Sequence, residues 1–287
     1  MKVLILGATG MLGNAVFRVL SKESSYQVWA TLRDPAWLVH FNQLEKNQLI
    51  SNVDVLDIRR LEEILDEVKP NVIINCVGLI KQMYETNDPL TTLPINALFP
   101  HQLVRLCSKI GSRLIHVSTD CVFSGLTGMY REEDLSDAED LYGKSKYIGE
   151  LRDTVGAITL RTSIIGHELN SHYSLVNWFL SQHGTVKGYE KAVFSGLPST
   201  ELARIIMDYI IPRPDLHGLF HVSSNPINKH SLLSLIADIY HKDINIIKDD
   251  SLVIDRSLNS DKFKKATGYE PPNWPTLVNN MYLKSEK

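Results

Sequence analysis

Seven residues near the start of the chain, Gly7-Ala8-Thr9-Gly10-Met11-Leu12-Gly13, constrain its fold more than any other stretch. They follow an apolar run, Val3-Leu4-Ile5-Leu6. They precede a helical pattern with Leu12, Ala15, Val16 and Val19 on one face. A strand that turns directly into a helix needs residues without a Cβ at the corner. A helix N-terminus approached closely through such a corner presents free amides to an anion. Gly7 and Gly10 suit the turn and the phosphate approach, and Gly13 lets the helix pack on the sheet. Gly7, Thr9, Gly10, Met11 and Leu12 are therefore candidate contacts to a dinucleotide. A turn that merely uses glycine is the plain alternative, and the flanking strand and helix argue against it.

The first half repeats this alternation. Strands are predicted at 3–6, 27–32, 48–53, 72–76, 113–117 and 157–161, with helices at 11–22, 58–68, 94–110 and 142–153. Continuous apolar strands between amphipathic helices imply a parallel sheet covered on both faces. The predicted fold is α/β: a doubly wound, Rossmann-type parallel sheet with a smaller C-terminal α/β substrate lobe. Residues 1–162 form the expected nucleotide-binding domain and 163–287 the lobe, with some chain returning to the sheet. Helices are expected at 175–181, 200–211 and 231–240, strands at 219–222 and 244–247, and loops across 249–275.

Composition removes other classes. At 44% hydrophobic and 22% charged residues, the chain is not disordered. A net charge of -3 argues against a nucleic-acid binder. Three cysteines without CxxC spacing argue against a disulfide framework. No His/Cys cluster has metal spacing; His217 and His221 read as structural. No apolar stretch reaches membrane-span length, and the run after Lys2 breaks at Gly7 without a cleavage site. No membrane partner is expected, the cytoplasm is the expected compartment, and a homodimer stays open.

The end of the second strand bears on cofactor choice. An acid there would bind the ribose 2′-OH of NAD and repel a 2′-phosphate. The sequence reads Thr31-Leu32-Arg33, with no acid until Asp34. Arg33 can pair with a phosphate, so NADPH is the expected cofactor, with NADH open. Asp57 is a candidate for the adenine edge and equally for a helix N-cap, with Ile58 beside it.

Tyr142 and Lys146 fall in Tyr142-Gly143-Lys144-Ser145-Lys146, four apart on a helix and so on one face. A fixed ammonium beside a phenol is expected to lower the phenol pKa and ready it for proton exchange with a carbonyl oxygen. Ser118-Thr119-Asp120 ends the fifth strand, where ligands of such sheets bind. Thr119 is the chosen hydroxyl to orient the carbonyl, with Ser118 the near alternative. An ST-turn is the plain reading of both.

The runs Ser118-Thr119-Asp120-Cys121-Val122-Phe123-Ser124-Gly125, Tyr142 to Lys146 with Gly149-Glu150, and Leu160-Arg161-Thr162-Ser163 resemble the dTDP-4-dehydrorhamnose reductase family of extended short-chain dehydrogenases/reductases. Asn75-Cys76-Val77-Gly78 and Asn96 to His101 match further family positions, and the resemblance spans essentially the whole chain. It implies reduction at C4 of a nucleotide-linked 4-keto-6-deoxy sugar, with the Thr, Tyr and Lys roles on Thr119, Tyr142 and Lys146. It also implies cofactor contacts at Cys76, Val77, Gly78 and Asn96. The family commonly reads Tyr-Val-Phe-Asp-Gly where this chain has Cys121 to Gly125, and Gly78 to Gln82 also differs. The sugar is therefore open, with a UDP-linked amino sugar as one alternative.

A nucleotide-diphosphate sugar needs cationic and amide donors and an apolar platform. Lys81, Asn170, Trp178, Lys187 and Arg204 are the candidates, each with a bland surface or core reading. The run 249–257, with Arg256, is a further candidate edge. Two rival functions stand beside the reductase. One is an NAD-dependent nucleotide-sugar epimerase or dehydratase. The other is a non-catalytic nucleotide-binding subunit, similar to the regulatory β-subunit of methionine adenosyltransferase.

Overall fold

Strands buried on both faces need helices above and below, and this chain supplies them. The computed structural model describes residues 1–82, 84–169 and 173–285. Its first half runs β1 (Lys2–Leu6), α1 (Met11–Leu20), β2 (Gln27–Thr31), β3 (Leu49–Ile50), α2 (Ile58–Val68), β4 (Val72–Asn75), α3 (Phe99–Ile110), β5 (Arg113–Thr119), α4 (Leu141–Ile148) and β6 (Ala157–Thr162). The second half holds α5 (Leu175–Ser181), β7 (Thr185–Tyr189), β8 (Ala192–Phe194), α6 (Ser199–Ile205), β9 (Gly218–His221), α7 (Lys229–Ile239), β10 (Asn245–Asp249), α8 (Asp261–Thr267) and α9 (Trp274–Ser285).

Seven parallel strands form the main sheet in the order β9-β6-β5-β4-β1-β2-β3. The α/β doubly wound prediction agrees with this topology. One face carries a core of Val3, Ile5, Phe17, Ile206, Leu233 and Leu277, which runs from α1 into the second half of the chain. The other face buries Leu4, Leu6, Leu61, Phe99 and Leu103 under α2 and α3. Among the described residues no helix is long and apolar enough to cross a membrane.

Several elements differ from expectation for local reasons. The helix expected at 94–110 opens as a π-helical turn, Leu93–Leu98, before α3 begins. The helix expected at 142–153 stops at Ile148. Gly149 there packs so closely that a Cβ would lie 2.1 Å from the Asn96 carbonyl oxygen, and Glu150 turns inward to Arg161. The run 249–275 is less irregular than expected: Ile254–Asp255 pairs with β8, and α8 follows.

Gly13 sits where α1 crosses the preceding corner. A Cβ on it would lie 2.0 Å from the Gly7 carbonyl oxygen, a backbone atom that cannot step aside. Gly13→Ala should therefore destabilise the chain by about 2 kcal/mol or more. Thermal unfolding checks this; an unchanged Tm would contradict the tight crossing.

Candidate active site

The strand order reverses between β1 and β4, which opens a crevice at the C-terminal edge of the sheet. A cleft of about 580 Å³ lies there. One end is lined by Gly10, Met11, Leu12, Cys76, Val77 and Gly78, and the middle by Val117 to Cys121, Tyr142 and Lys146.

The glycine corner is built from backbone. Gly7 has φ +91°, a conformation that favours glycine, and its N–H donates to Thr31 Oγ1 at 3.4 Å. Gly10 is the N-cap of α1 and supplies no side-chain cap, and the first turn has no acid. The Gly10 N–H closes the corner by donating to Gly7 O at 3.3 Å, so the Met11 and Leu12 amides and the positive helix end are the donors offered to the cleft, a set that fits the pyrophosphate of a dinucleotide. Asn96 lies behind this wall: its Oδ1 accepts from Leu79 N–H at 2.9 Å, and its Nδ2 donates to Leu79 O and Ser145 Oγ.

Other expected cofactor residues lie off the cleft lining. Thr9 is half-buried in the corner, and Arg33 is exposed just beyond β2. Asp57 caps α2 through a bond from Arg60 N–H at 3.1 Å, and Ile58 packs on the core.

Tyr142 and Lys146 both reach the cleft from α4, whose start is capped by Asp140 accepting from Gly143 N–H at 2.7 Å. Tyr142 is hydrogen-bonded to Thr119. Thr119 Oγ1 also accepts from Cys121 N–H and donates to Asp120 at 3.2 Å. Burial pushes the Tyr142 phenol up, aided by Cys121 and Asp120, while the Thr119 bond opposes this. The expected lowering by Lys146 is not what this geometry shows. The Lys146 ammonium donates instead to Val117 O at 2.8 Å, and burial brings it down to about 8, with Glu150 and Cys76 opposing. The thiols of Cys76 and Cys121 are pushed up to about 12 by burial, so both stay protonated at neutral pH.

Ser118 is already occupied. Its hydroxyl donates to Glu150 Oε1 at 2.9 Å, and that carboxylate takes Arg161 at 2.6 and 2.8 Å and Arg152 at 3.0 and 3.1 Å. Arg161 in turn lies 3.2 Å from His221, whose other ring nitrogen meets Tyr130 O. Burial and the Arg161 charge bring the His221 pKa down to about 3. His221 is thus structural, and no group of potential metal ligands occurs among the described residues.

The substrate candidates divide. Lys81 lines the cleft and pairs with Asp140 at 2.5 Å. Three others do not line it. Lys187 points outward from β7 into an ion pair with Asp249 at 2.7 Å. Arg204 is on the exposed side of α6, and Trp178 is 38% exposed on α5. Asn170 lies outside the described residues. In their place the outer end of the cleft takes Phe194, Lys229 and Arg256. Arg256 belongs to the run flagged as a candidate edge; Lys229 and Phe194 were missed. No sequence signal marked Lys229, because the helix expected from Ser231 in fact opens at Lys229, where a lysine opposes the helix dipole.

Lys146 yields a direct check. Its folded-state pKa, about 8, lies below the ordinary 10.5, so the folded chain releases this proton before an unfolded one does. The group therefore adds stability as pH rises from about 8 towards 10.5. NMR titration of the lysine side chains in the cofactor-free protein, assigned with Lys146→Met, should show one ammonium titrating near pH 8. Titration of Lys146 in the ordinary lysine range would contradict this burial.

Known proteins resemble this chain along most of its length. The profile of the family described as RmlD substrate binding domain matches residues 1–286. A dTDP-4-dehydrorhamnose reductase of Aggregatibacter actinomycetemcomitans is 25% identical, covering 99% of this chain and 99% of its own. The methionine adenosyltransferase 2 subunit beta of Bos taurus is 26% identical, covering 84% of this chain and 72% of its own. Among solved structures, a hypothetical dTDP-4-dehydrorhamnose reductase from Sulfolobus tokodaii superimposes with a TM-score of 0.78 at 25% identity, covering 96% of this chain and 98% of that one. A Bacillus anthracis dTDP-4-dehydrorhamnose reductase in complex with NADP shares the fold, with a TM-score of 0.80 at 20% identity and 99% of each chain covered. With the profile matched along nearly its full length, the chain belongs to the RmlD family of extended short-chain dehydrogenases/reductases.

Proposed function

We propose that this chain is an NADPH-dependent reductase of the C4 keto group of a nucleotide-linked 4-keto-6-deoxy sugar. The observation that carries this reading is geometric: Tyr142 and Lys146 line the same cleft as Thr119 and the glycine corner. Residues 1–162 would hold the cofactor and 163–287 would close over the sugar.

The dinucleotide, when bound, supplies the hydride. Gly10, Met11 and Leu12 would hold its pyrophosphate, and Lys146 its nicotinamide ribose. Arg33, exposed and without an acid at the strand end, suits a 2′-phosphate. Asp34, the first acid after it, is engaged locally, accepting from Ala36 N–H at 2.9 Å. The NADP bound in the Bacillus anthracis relative supports the same choice.

Thr119 would hydrogen-bond the keto oxygen and fix its distance from Tyr142. As hydride reaches the carbonyl carbon, charge develops on that oxygen, and Tyr142 gives it a proton. The C=O bond becomes CH–OH, and the phenolate regains its proton from solvent. A phenol that burial keeps protonated is the right acid for this direction of reaction. Cys121 and the 78–82 segment line the cleft where this chain departs from the commoner family sequence, so an amino sugar on UDP is a second candidate substrate.

Similarity to the methionine adenosyltransferase subunit favours a second reading, a non-catalytic nucleotide-binding subunit. One experiment separates the two. NADPH consumption is followed with 4-keto-6-deoxy sugars on dTDP and UDP carriers, for the wild type and Tyr142→Phe. The reductase reading predicts turnover that falls by about a hundredfold or more in the variant, with NADPH affinity retained. NADPH binding without turnover on either carrier would favour the subunit reading.

A further inference from the structure

The cleft wall at 79–81 is tied to the helix that carries Tyr142 at two points, one on each side of that residue. At the base of the wall, Leu79 is bonded both ways to the Asn96 side chain. Its N–H donates to Oδ1 at 2.9 Å, and its carbonyl accepts from Nδ2 at 3.2 Å. Asn96 Nδ2 also donates to Ser145 Oγ, just past Tyr142 on α4, and both side chains are buried. At the tip of the wall, the Lys81 ammonium donates to Asp140 Oδ2 at 2.5 Å, just ahead of Tyr142. Between these two ties the Ile80 carbonyl accepts from Thr86 Oγ1 at 2.6 Å, which closes the loop behind the wall.

Asp140 is thus used twice. Its Oδ1 caps α4 by accepting from Gly143 N–H, and its Oδ2 holds Lys81. Burial raises its pKa, but the Gly143 amide and Lys81 together hold it below the ordinary carboxylate value. The two ties differ in kind. The one through Asn96 is buried and neutral. The Lys81 and Asp140 side chains are 45% and 39% exposed, and an exposed pair of this kind adds little to global stability. It can still fix the spacing between two cleft walls, because the rest of the loop is already held at Leu79 and Ile80. Lys81, with its charge already met, would have to break this contact before it could hold a phosphate.

We propose that Lys81 and Asp140 are positioning residues: their ion pair clamps the 79–81 wall to the start of α4 and so sets the width of the cleft at Tyr142. This rests on the nucleotide-sugar reading above. With the clamp closed, a keto sugar is held between the wall and the Tyr142 phenol, within reach of the Thr119 hydroxyl. With it broken, the tip of the wall stands free and the sugar seats loosely. The keto oxygen then loses its alignment, and rates that depend on alignment fall steeply for small displacements. Lys81 belongs to the 78–82 stretch in which this chain departs from the commoner family sequence.

Two measurements on the full chain test this. The first is NMR titration of Asp140 in the NADPH-saturated protein without sugar. In Lys81→Met, which keeps the apolar stem, the Asp140 carboxyl should titrate at higher pH than in the wild type. An unchanged titration would overturn the clamp. The second is steady-state kinetics at saturating NADPH with 4-keto-6-deoxy sugars on dTDP and UDP carriers. Lys81→Met and Asp140→Asn, which keeps the helix cap, should each raise KM for the sugar severalfold and lower kcat about tenfold, with Tm and NADPH affinity unchanged. The double variant should be no worse than either single one, because both remove the same interaction. Lys81→Arg, which keeps the pair, should restore the wild-type values. Wild-type kinetics in Asp140→Asn would overturn the proposal, and a raised KM in Lys81→Met beside it would make Lys81 a direct substrate contact. Effects that multiply in the double variant would also overturn it. The expected Asp140 titration in a protein that turns over neither sugar would keep the clamp and remove the reductase reading.

Discussion

Arg161 and Glu150 meet at 2.6 Å with both side chains sealed from water, and the reactive edge of the sheet is arranged around that pair. A buried ion pair is weak evidence for stability, yet removing one partner strands the other at a cost of about 3–5 kcal/mol. The pair therefore fixes geometry firmly. It joins β6 to the end of α4, takes in Ser118 on β5, and reaches β9 through His221. Three consecutive residues of β5 are then committed in turn. The Val117 carbonyl receives Lys146, Ser118 binds Glu150, and Thr119 faces Tyr142.

This arrangement divides the work of the cleft. At the glycine corner the contacts come from backbone, held open by close packing at Gly13 and a left-handed Gly7. At the middle they come from side chains with little freedom, since Lys146 and Thr119 are buried and bonded. At the outer end the second half of the chain contributes Phe194, Lys229 and Arg256. Rigid elements hold the first two parts, and later segments supply the third.

The legibility of each part follows the same division. The corner, the sheet and the Tyr142–Lys146 pair were readable because each depends on local spacing: glycines after an apolar run, strands with both faces apolar, two residues one helical turn apart. Residue chemistry alone does not separate Thr119 from Ser118; the structure adds that the Ser118 hydroxyl donates to Glu150. The early end of α4 was not readable, because Glu150 leaves the helix for a partner eleven residues away. Lys187, Arg204 and Trp178 looked as suitable as Lys229 from residue type alone. What separates them is long-range: Lys187 finds Asp249 across a strand pair, while Lys229 packs over the Phe194 ring in the cleft lining. The sense of the Tyr142 shift also needed coordinates, since burial of the phenol decides it and the Lys146 ammonium is turned to Val117 O.

The central claim is that Tyr142 and Lys146 serve a hydride transfer to a sugar carbon, and isotope labelling tests it most directly. The protein is incubated with NADPH carrying deuterium at the transferable position of the nicotinamide and with a dTDP-linked 4-keto-6-deoxy hexose. Mass spectrometry and NMR of the recovered nucleotide sugar should find one deuterium on the carbon that bore the keto group. Recovery of unlabelled sugar from protein shown to hold both molecules would contradict the account.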